Sequence, residues 1–249
     1  MTAATFADRL AEQVRLSGSR PLVTFYDDTT GERVELSVVT YANWVAKTAG
    51  VLQDELGLER GDTVLVDLPT HWLAPVWLGA CWTTGLAVTT DPGVDRDLAV
   101  CGPGGLETYA AGASPVVGLS LLPMGRRFSD PVPDGVVDFG VVVWGQPDAF
   151  ISYDPPSPTD PAWLGSASRT QQELLSEAAR HPWSAPGTRL LTDLAPASQD
   201  GVTAFLAPLV AGGGTVWVAH ADPAGWDRRA DAEQASAVHR SVPGQPARS

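Results

Sequence analysis

The sequence predicts an α/β protein in which a mainly parallel sheet is flanked by helices. Three observations carry that expectation. Residues 40–90 read as an amphipathic helix, a glycine stop, a β-branched strand, an apolar helix and a second strand. Strand, helix, strand at this spacing is the wiring of a right-handed parallel βαβ unit. A second such alternation lies near residues 189–220, where two short apolar strands bracket another apolar helix.

The elements follow in order. Phe6, Leu10 and Val14 recur at fourfold spacing, so residues 4–17 predict an amphipathic helix ending near Gly18. Leu22 to Tyr26 and Arg33 to Ser37 alternate on either side of the turn cluster Asp27-Asp28-Thr29-Thr30-Gly31, a β-hairpin. Thr40 is the expected N-cap of a helix reaching Leu56, with Tyr41, Trp44, Val45, Thr48 and Leu52 on one face and Gly57 at its left-handed stop. Thr63 to Leu68 is a strand, stopped by Pro69. The helix over about 71–83 carries Trp72, Trp77 and Trp82 at fivefold steps, roughly 140° apart around its axis. Aromatic on every side, it must be covered on every side. Gly85 closes it, and Leu86 to Thr90 is the next strand.

Shorter elements follow: a strand at 98–100, a helix at 106–111 and a strand at 115–122. In the apolar run Val136 to Trp144, helical and strand periods compete. Ser152 to Pro161 is a proline-rich loop. Ser168 and Gln171 fit a capping box for a helix that turns Leu174, Leu175 and Ala178 inward. Residues 1–220 therefore read as one α/β domain. Residues 221–249 read as a polar tail, helical at most in part, whose last residues, SVPGQPARS, are expected to be disordered.

Composition limits the function. The net charge of −13 and a pI near 4.5 argue against a nucleic-acid binder, which needs a basic face. Of sixteen basic residues only Lys47 is a lysine. Cys81 and Cys101 lack metal-ligand spacing, as do His71, His181, His220 and His239, so no metal is expected. The first residues lack the apolar core of a signal peptide, and no run approaches the roughly 18 apolar residues of a membrane span. A cytoplasmic protein is the simplest expectation.

Three glycine clusters can be tested as phosphate cradles, which need strand, glycine loop and helix in that order. Gly212-Gly213-Gly214-Thr215 has the reverse order and reads as a helix C-cap. Cys101-Gly102-Pro103-Gly104-Gly105 has the right order but no Lys, Ser or Thr, and reads as a turn. Gly165 to Thr170 adds hydroxyls and a cation. Ser166, Ser168, Arg169 and Thr170 are therefore the candidate residues of a vestigial anion site, weighed against an ordinary capping box. His71 follows a strand's carboxyl end, where α/β folds place ligands, but at the start of a helix it reads first as structural.

Several segments resemble, in order, the leading part of the adenylate-forming superfamily of acyl-CoA synthetases, luciferases and peptide-synthetase adenylation domains. They are Pro21 to Tyr26, Thr40 to Leu56, Gly61-Asp62-Thr63-Val64 with Leu68-Pro69, Trp82 to Val88, Leu191 to Gly201, Pro208-Leu209-Val210 and Gly213-Gly214-Thr215-Val216. The chain resembles in particular a small actinobacterial family with distant similarity to those enzymes. The resemblance implies an N-terminal subdomain of the family's fold. It also exposes departures. The family's Ser/Thr/Gly-rich phosphate loop ends in Pro-Lys-Gly, whereas Ala162-Trp163-Leu164 here meets Gly165-Ser166-Ala167-Ser168-Arg169 almost directly, without a lysine. Ser198-Gln199 stands where the family often has a histidine, and the segments for adenine, ribose and the mobile catalytic domain are not matched. The resemblance thus carries over no catalytic residue and implies no cofactor beyond weak nucleotide binding. It implies a truncated, non-adenylating relative that binds a ligand or protein, or a subdomain completed by a partner chain. The apolar surface left by truncation is the expected contact for a homo-oligomer or partner, and the nine tryptophans, three of them near one helix, fit that expectation.

Overall fold

In the computed structural model, which describes residues 4–241, the strands form two sheets instead of one. The first has the spatial order β12 (Ala237–His239), β10 (Arg189–Thr192), β11 (Gly214–Ala219), β1 (Pro21–Asp27) and β2 (Arg33–Ser37). The second runs β7 (Val136–Asp138), β6 (Val116–Gly118), β5 (Leu98–Cys101), β3 (Thr63–Asp67), β4 (Ala87–Thr89), β8 (Pro161–Leu164) and β9 (Arg169–Thr170). Every ladder is parallel except β1–β2 and β8–β9, so the expected parallel α/β class holds.

Side-chain alternation along the strands sorts the chain into layers. Val64 and Val66 of β3, Leu98 and Val100 of β5 and Trp217 of β11 belong to one large central core. Between the sheets lie α1 (Phe6–Ser17), α2 (Val38–Gly50), α3 (Leu73–Thr84), α6 (Gln171–Arg180) and α7 (Gln199–Val210). The intervening residues face outward into two smaller cores. Leu65, Ala99 and Cys101 meet Leu106 and Tyr109 of α4 (Leu106–Ala110). Leu191, Val216 and Val218 meet Trp226 of α8 (Trp226–Ala232).

The βαβ unit β3–α3–β4 forms as expected, and Trp72, Trp77 and Trp82 are each no more than 1% exposed. These three tryptophans therefore belong to the core and do not build the exposed contact surface that the sequence leads one to expect of them. Phe6 tilts onto Trp82 with ring centroids 5.3 Å apart, and Phe139 lies on Trp77 at 5.2 Å. Trp44 meets Trp72 edge-on at 4.9 Å. The Trp82 indole donates to the carbonyl of Ala162 in β8, 2.9 Å away.

Several local expectations shift. The N-cap of α2 is Ser37, whose Oγ accepts from the Thr40 N–H at 3.1 Å. The helix starts as soon as β2 ends because Val38 is already fully buried. Its far end widens into a π-turn over Val51–Glu55 before Gly57 stops it at φ 68°. The ambiguous run 136–144 is strand and then α5 (Phe139–Val142). Asp138 divides them, its carboxylate accepting from the N–H groups of Gly140 and Phe128.

The largest shift concerns the segment after residue 220. It carries α8 and β12, which extends the first sheet beside β10. Glu233, between them, is buried and accepts from Tyr26 Oη at 2.5 Å, Arg33 at 3.0 Å and Arg189. Residues 221–241 are thus built into the domain through charge-assisted bonds to three of its strands. Alternation could not reveal a three-residue edge strand. The end of SVPGQPARS, residues 242–249, lies outside the described residues.

Close approach of α2 and α3 depends on Gly79. A Cβ there would stand 2.2 Å from Tyr41 Oη and 3.0 Å from the Phe6 ring. Tyr41 is wholly buried and donates to the Pro75 carbonyl at 2.8 Å. Gly79→Ala is expected to lower unfolding free energy by about 2–3 kcal/mol through overpacking. Tyr41→Phe alone should lose about 1 kcal/mol, and the double variant should be more stable than the sum of the two losses predicts. Denaturant midpoints of the four proteins measure the coupling, and strict additivity would contradict this account.

Candidate functional site

The segment holding Ser166, Ser168, Arg169 and Thr170 is a hairpin. Pro161–Leu164 runs out as β8, the chain turns through exposed Ser166 and Ser168, and Arg169–Thr170 returns antiparallel as β9. The cap of α6 is Thr170 with Glu173, two residues beyond the expected Ser168–Gln171 pair. The reason is Gln171, which is buried and bridges two helices. Its Oε1 accepts from the Phe6 N–H at 2.9 Å, and its Nε2 donates to the Trp82 carbonyl at 2.8 Å.

The Glu173 carboxylate accepts from the Thr170 backbone N–H at 2.8 Å and from Thr170 Oγ1 at 2.9 Å. Those bonds, the backbone one first, hold the Glu173 carboxyl below its ordinary pKa. The positive end of α6 therefore already faces a carboxylate of its own. Arg169 donates to Glu177 at 2.8 Å. Lys47 sits elsewhere, donating to the Gln146 carbonyl and pairing with Asp148 at 3.0 Å.

Besides a 660 Å³ hollow between α1 and α2, concave surface lies at the carboxyl ends of the strands. The chain leaves β10 into α7, between the sheets, and leaves β11 into α8, on the outer face. Adjacent parallel strands whose connections depart in opposite directions open a crevice between their carboxyl ends, where α/β sheets bind ligands. Two hollows of 450 Å³ and 410 Å³ occupy this region and share Pro69, Thr70, Ala219 and His220. Asp193, after β10, lines the second.

The first hollow is bounded by Phe25, Asp27, Glu32, His71, Leu122 and His220. His71 is 4% exposed, and its Nδ1 accepts from the Leu73 N–H at 3.2 Å. Phe25 meets its ring edge-on with centroids 5.0 Å apart. Burial pushes the imidazole pKa down to about 4 against the opposing pull of Asp27, so His71 is neutral at pH 7. At the mouth, Asp27 accepts from the Thr29 N–H at 2.8 Å and shares a 2.9 Å hydrogen bond with His220 Nδ1. Burial alone would raise the Asp27 carboxyl, but these bonds, led by His220, hold it below its ordinary pKa. Burial, reinforced by the Asp27 charge, raises that of Glu32.

Of this group only His71 was singled out from sequence, and as a structural residue. Asp27 reads as hairpin turn and His220 as a strand end, while Glu32 falls between the turn and the second strand. Their common signal is position: Asp27 ends β1 and His220 follows β11, but only knowledge of which strands pair would have joined them. Among the described residues, no cluster of His, Cys, Asp or Glu is arranged to hold a metal ion, and no helix is long and apolar enough to cross a membrane.

The buried neutral imidazole makes stability pH-dependent. Its folded-state pKa lies below the unfolded value of 6.5, so its contribution is full above pH 6.5 and is lost as pH falls toward 4. The loss should reach about 3 kcal/mol. Denaturant titrations of wild type and His71→Phe between pH 7 and 4 should show a shallower fall for the variant, and parallel curves would contradict this assignment.

No protein-family model matches the sequence. Solved structures share the fold. An acyl-CoA synthetase of Brucella canis superposes with a TM-score of 0.77 at 14% identity, over 96% of this chain and 47% of its own. The acetoacetyl-CoA synthetase of Streptomyces lividans gives 0.75 at 19% identity, over 95% and 42%. The N-terminal domain of FACL13 from Mycobacterium tuberculosis gives 0.72 at 12% identity, over 93% and 61%. The architecture is thus that of the N-terminal part of acyl-CoA synthetases, and the chain spans less than two thirds of each of these three structures. In sequence it is 36% identical over 229 residues to a TIGR03089 family protein of Mycobacterium tuberculosis, covering 88% of this chain and 90% of that one. The chain belongs to the TIGR03089 family.

Proposed function

We propose that this protein is a non-adenylating relative of the acyl-CoA synthetases, a cytoplasmic module that binds a small molecule or a protein on a shared scaffold. The observation that carries this reading is the β8–β9 hairpin. An adenylating enzyme must hold a triphosphate with amides, hydroxyls and a cation at this place in the chain. Here the helix start is capped by the Glu173 carboxylate and the nearby cation, Arg169, is paired with Glu177. The single lysine is committed to Gln146 and Asp148. An incoming phosphate would have to displace Glu173 and overcome its repulsion. Ser166, Ser168, Arg169 and Thr170 are then the remnant of an anion site.

A second reading, that the chain is completed by a partner chain or a second copy, draws on one surface. Val141 and Trp144 are more than half exposed one turn apart, and Met124 is 63% exposed beside Gly125, whose Cβ position meets Trp44. Trp144 in turn lies edge-on to Trp44, at 5.5 Å. An apolar patch of this kind marks a contact surface.

ATP–pyrophosphate exchange by the purified protein is expected to stay at background with short, medium and aromatic carboxylic acids. Reproducible exchange would refute the first reading. Pyrophosphate and AMP titrated into wild type and Ser168→Ala/Arg169→Ala should give equal, negligible heats, and saturable heat lost in the variant would restore a working anion site. Light scattering separates the second reading: a dimer dissociated by Trp144→Ser supports it, and a monomer that captures nothing counts against it.

A further inference from the structure

We propose that the crevice at the carboxyl ends of β10, β11 and β1 is a docking groove for residues 242–249 of this same chain, Val-Pro-Gly-Gln-Pro-Ala-Arg-Ser, a role that goes beyond the non-adenylating reading and does not depend on it.

Strand order delivers this segment to the groove. β12, β10, β11 and β1 lie side by side and run parallel, so their carboxyl ends share one edge of the sheet. The chain leaves β12 at that edge. Arg240 turns outward over the Trp226 ring, 5.0 Å from its centroid, and the Ser241 N–H donates to Asp193 Oδ1 at 2.7 Å. Asp193 lines the 410 Å³ hollow, which continues past Pro69, Thr70, Ala219 and His220 into the 450 Å³ hollow. Ser241 is thus tied to the wall of the groove. From β12 to β1 is three strand spacings, about 14 Å. The seven residues from Ser241 to Arg248 span about 22 Å as a polyproline II helix, enough to cross the groove.

The chemistry of the two sides is complementary. Asp27, Glu32 and Asp193 line the hollows, and no lysine or arginine does. Residues 242–249 carry one cation, Arg248, and no Asp or Glu. The side-chain hydrogen bonds of Asp27, from the Thr29 N–H and with His220, both fall on Oδ1. Its Oδ2 is not among the solvent-shielded atoms and is open to a guanidinium. Pro243 and Pro246 are three residues apart, one turn of polyproline II, and so share a side. Phe25, Pro69, Leu121, Leu122 and Pro123 give the groove apolar wall for that side. Extended proline-containing segments dock in such grooves because little conformational freedom is left to lose. A composition this polar builds no core of its own, but tethering raises its local concentration to about millimolar, so modest contacts suffice.

Disulfide trapping in the full chain tests the docking. Cys81 and Cys101 are buried, so introduced cysteines are the reactive ones. Ala247→Cys is paired either with Thr70→Cys, on the wall common to both hollows, or with Asp227→Cys, on the outer face. Asp227 is exposed and contacts Arg240 at 3.4 Å, so it lies within reach of a free tail. With oxidised glutathione, the Thr70 pair should close its intramolecular disulfide at least about tenfold faster than the Asp227 pair. Leu122→Cys, half-buried further along the groove, should share that preference and replaces Thr70→Cys if circular dichroism shows that variant unfolded. Arg248→Gln and Pro243→Ala/Pro246→Ala should each lower the preference about threefold. Equal rates, or faster closure at Asp227, would overturn the proposal and leave the tail free for another protein. Disulfides formed only between two copies would also overturn it, assigning the groove to a neighbour's tail. A preference unchanged in both tail variants would remove its chemical basis.

Discussion

Helix α3 is apolar around its whole circumference, and one sheet face covers only one side of such a helix. The rest must be met by other elements, and in this molecule they are all drawn in. Phe6 of α1 closes over Trp82, Tyr41 of α2 approaches at Gly79, Trp44 abuts Trp72 and Phe139 covers Trp77. Each contact places an aromatic ring where both its area and its tilted geometry contribute. A second sheet then becomes necessary, because the helices that surround α3 have outer faces of their own to bury. The layered arrangement is the consequence of placing two tryptophans on a twelve-residue helix and a third at its N-cap.

That same helix positions the candidate site. Its start follows directly on the carboxyl end of β3, which puts His71 at the base of a hollow. The first sheet, packed on the opposite side of the helical layer, brings the ends of β1 and β11 to the same place and supplies Asp27 and His220. At its other end, the Trp82 carbonyl receives Gln171. Gln171 is therefore spent on the core, and the cap of α6 passes to Thr170 and Glu173. The closure of the α6 start by its own Glu173 carboxylate is thus tied to packing as well as to a short loop.

The domain therefore shares the fold of acyl-CoA synthetases, and its β8–β9 segment is a hairpin that leads into a capped helix. Its polar features sort into two kinds. Gln171 and the cluster of Glu233 with Tyr26, Arg33 and Arg189 satisfy one another and hold elements in place. His71 and Glu32, two residues that line the hollow, each keep one solvent-shielded atom without a partner among the described residues. The first kind explains stability, and the second marks polar groups that the packing leaves unmatched.

Much of this was written locally. The βαβ unit, the left-handed stops at Gly57 and Gly85, the C-cap at Gly212 and the need to cover α3 all follow from period, propensity and backbone freedom within a few residues. The split of the run 136–144 was half legible, since Asp138 is a good cap but the apolar pattern serves both structures. What tertiary structure alone decided is how the strands divide between two sheets, that a three-residue segment after residue 236 joins one of them, and that Asp27, Glu32, His71 and His220 share a hollow. The physical reason is separation in sequence. A strand's neighbour is chosen by burial and by hydrogen bonds to residues up to two hundred positions away, and no local period encodes that choice.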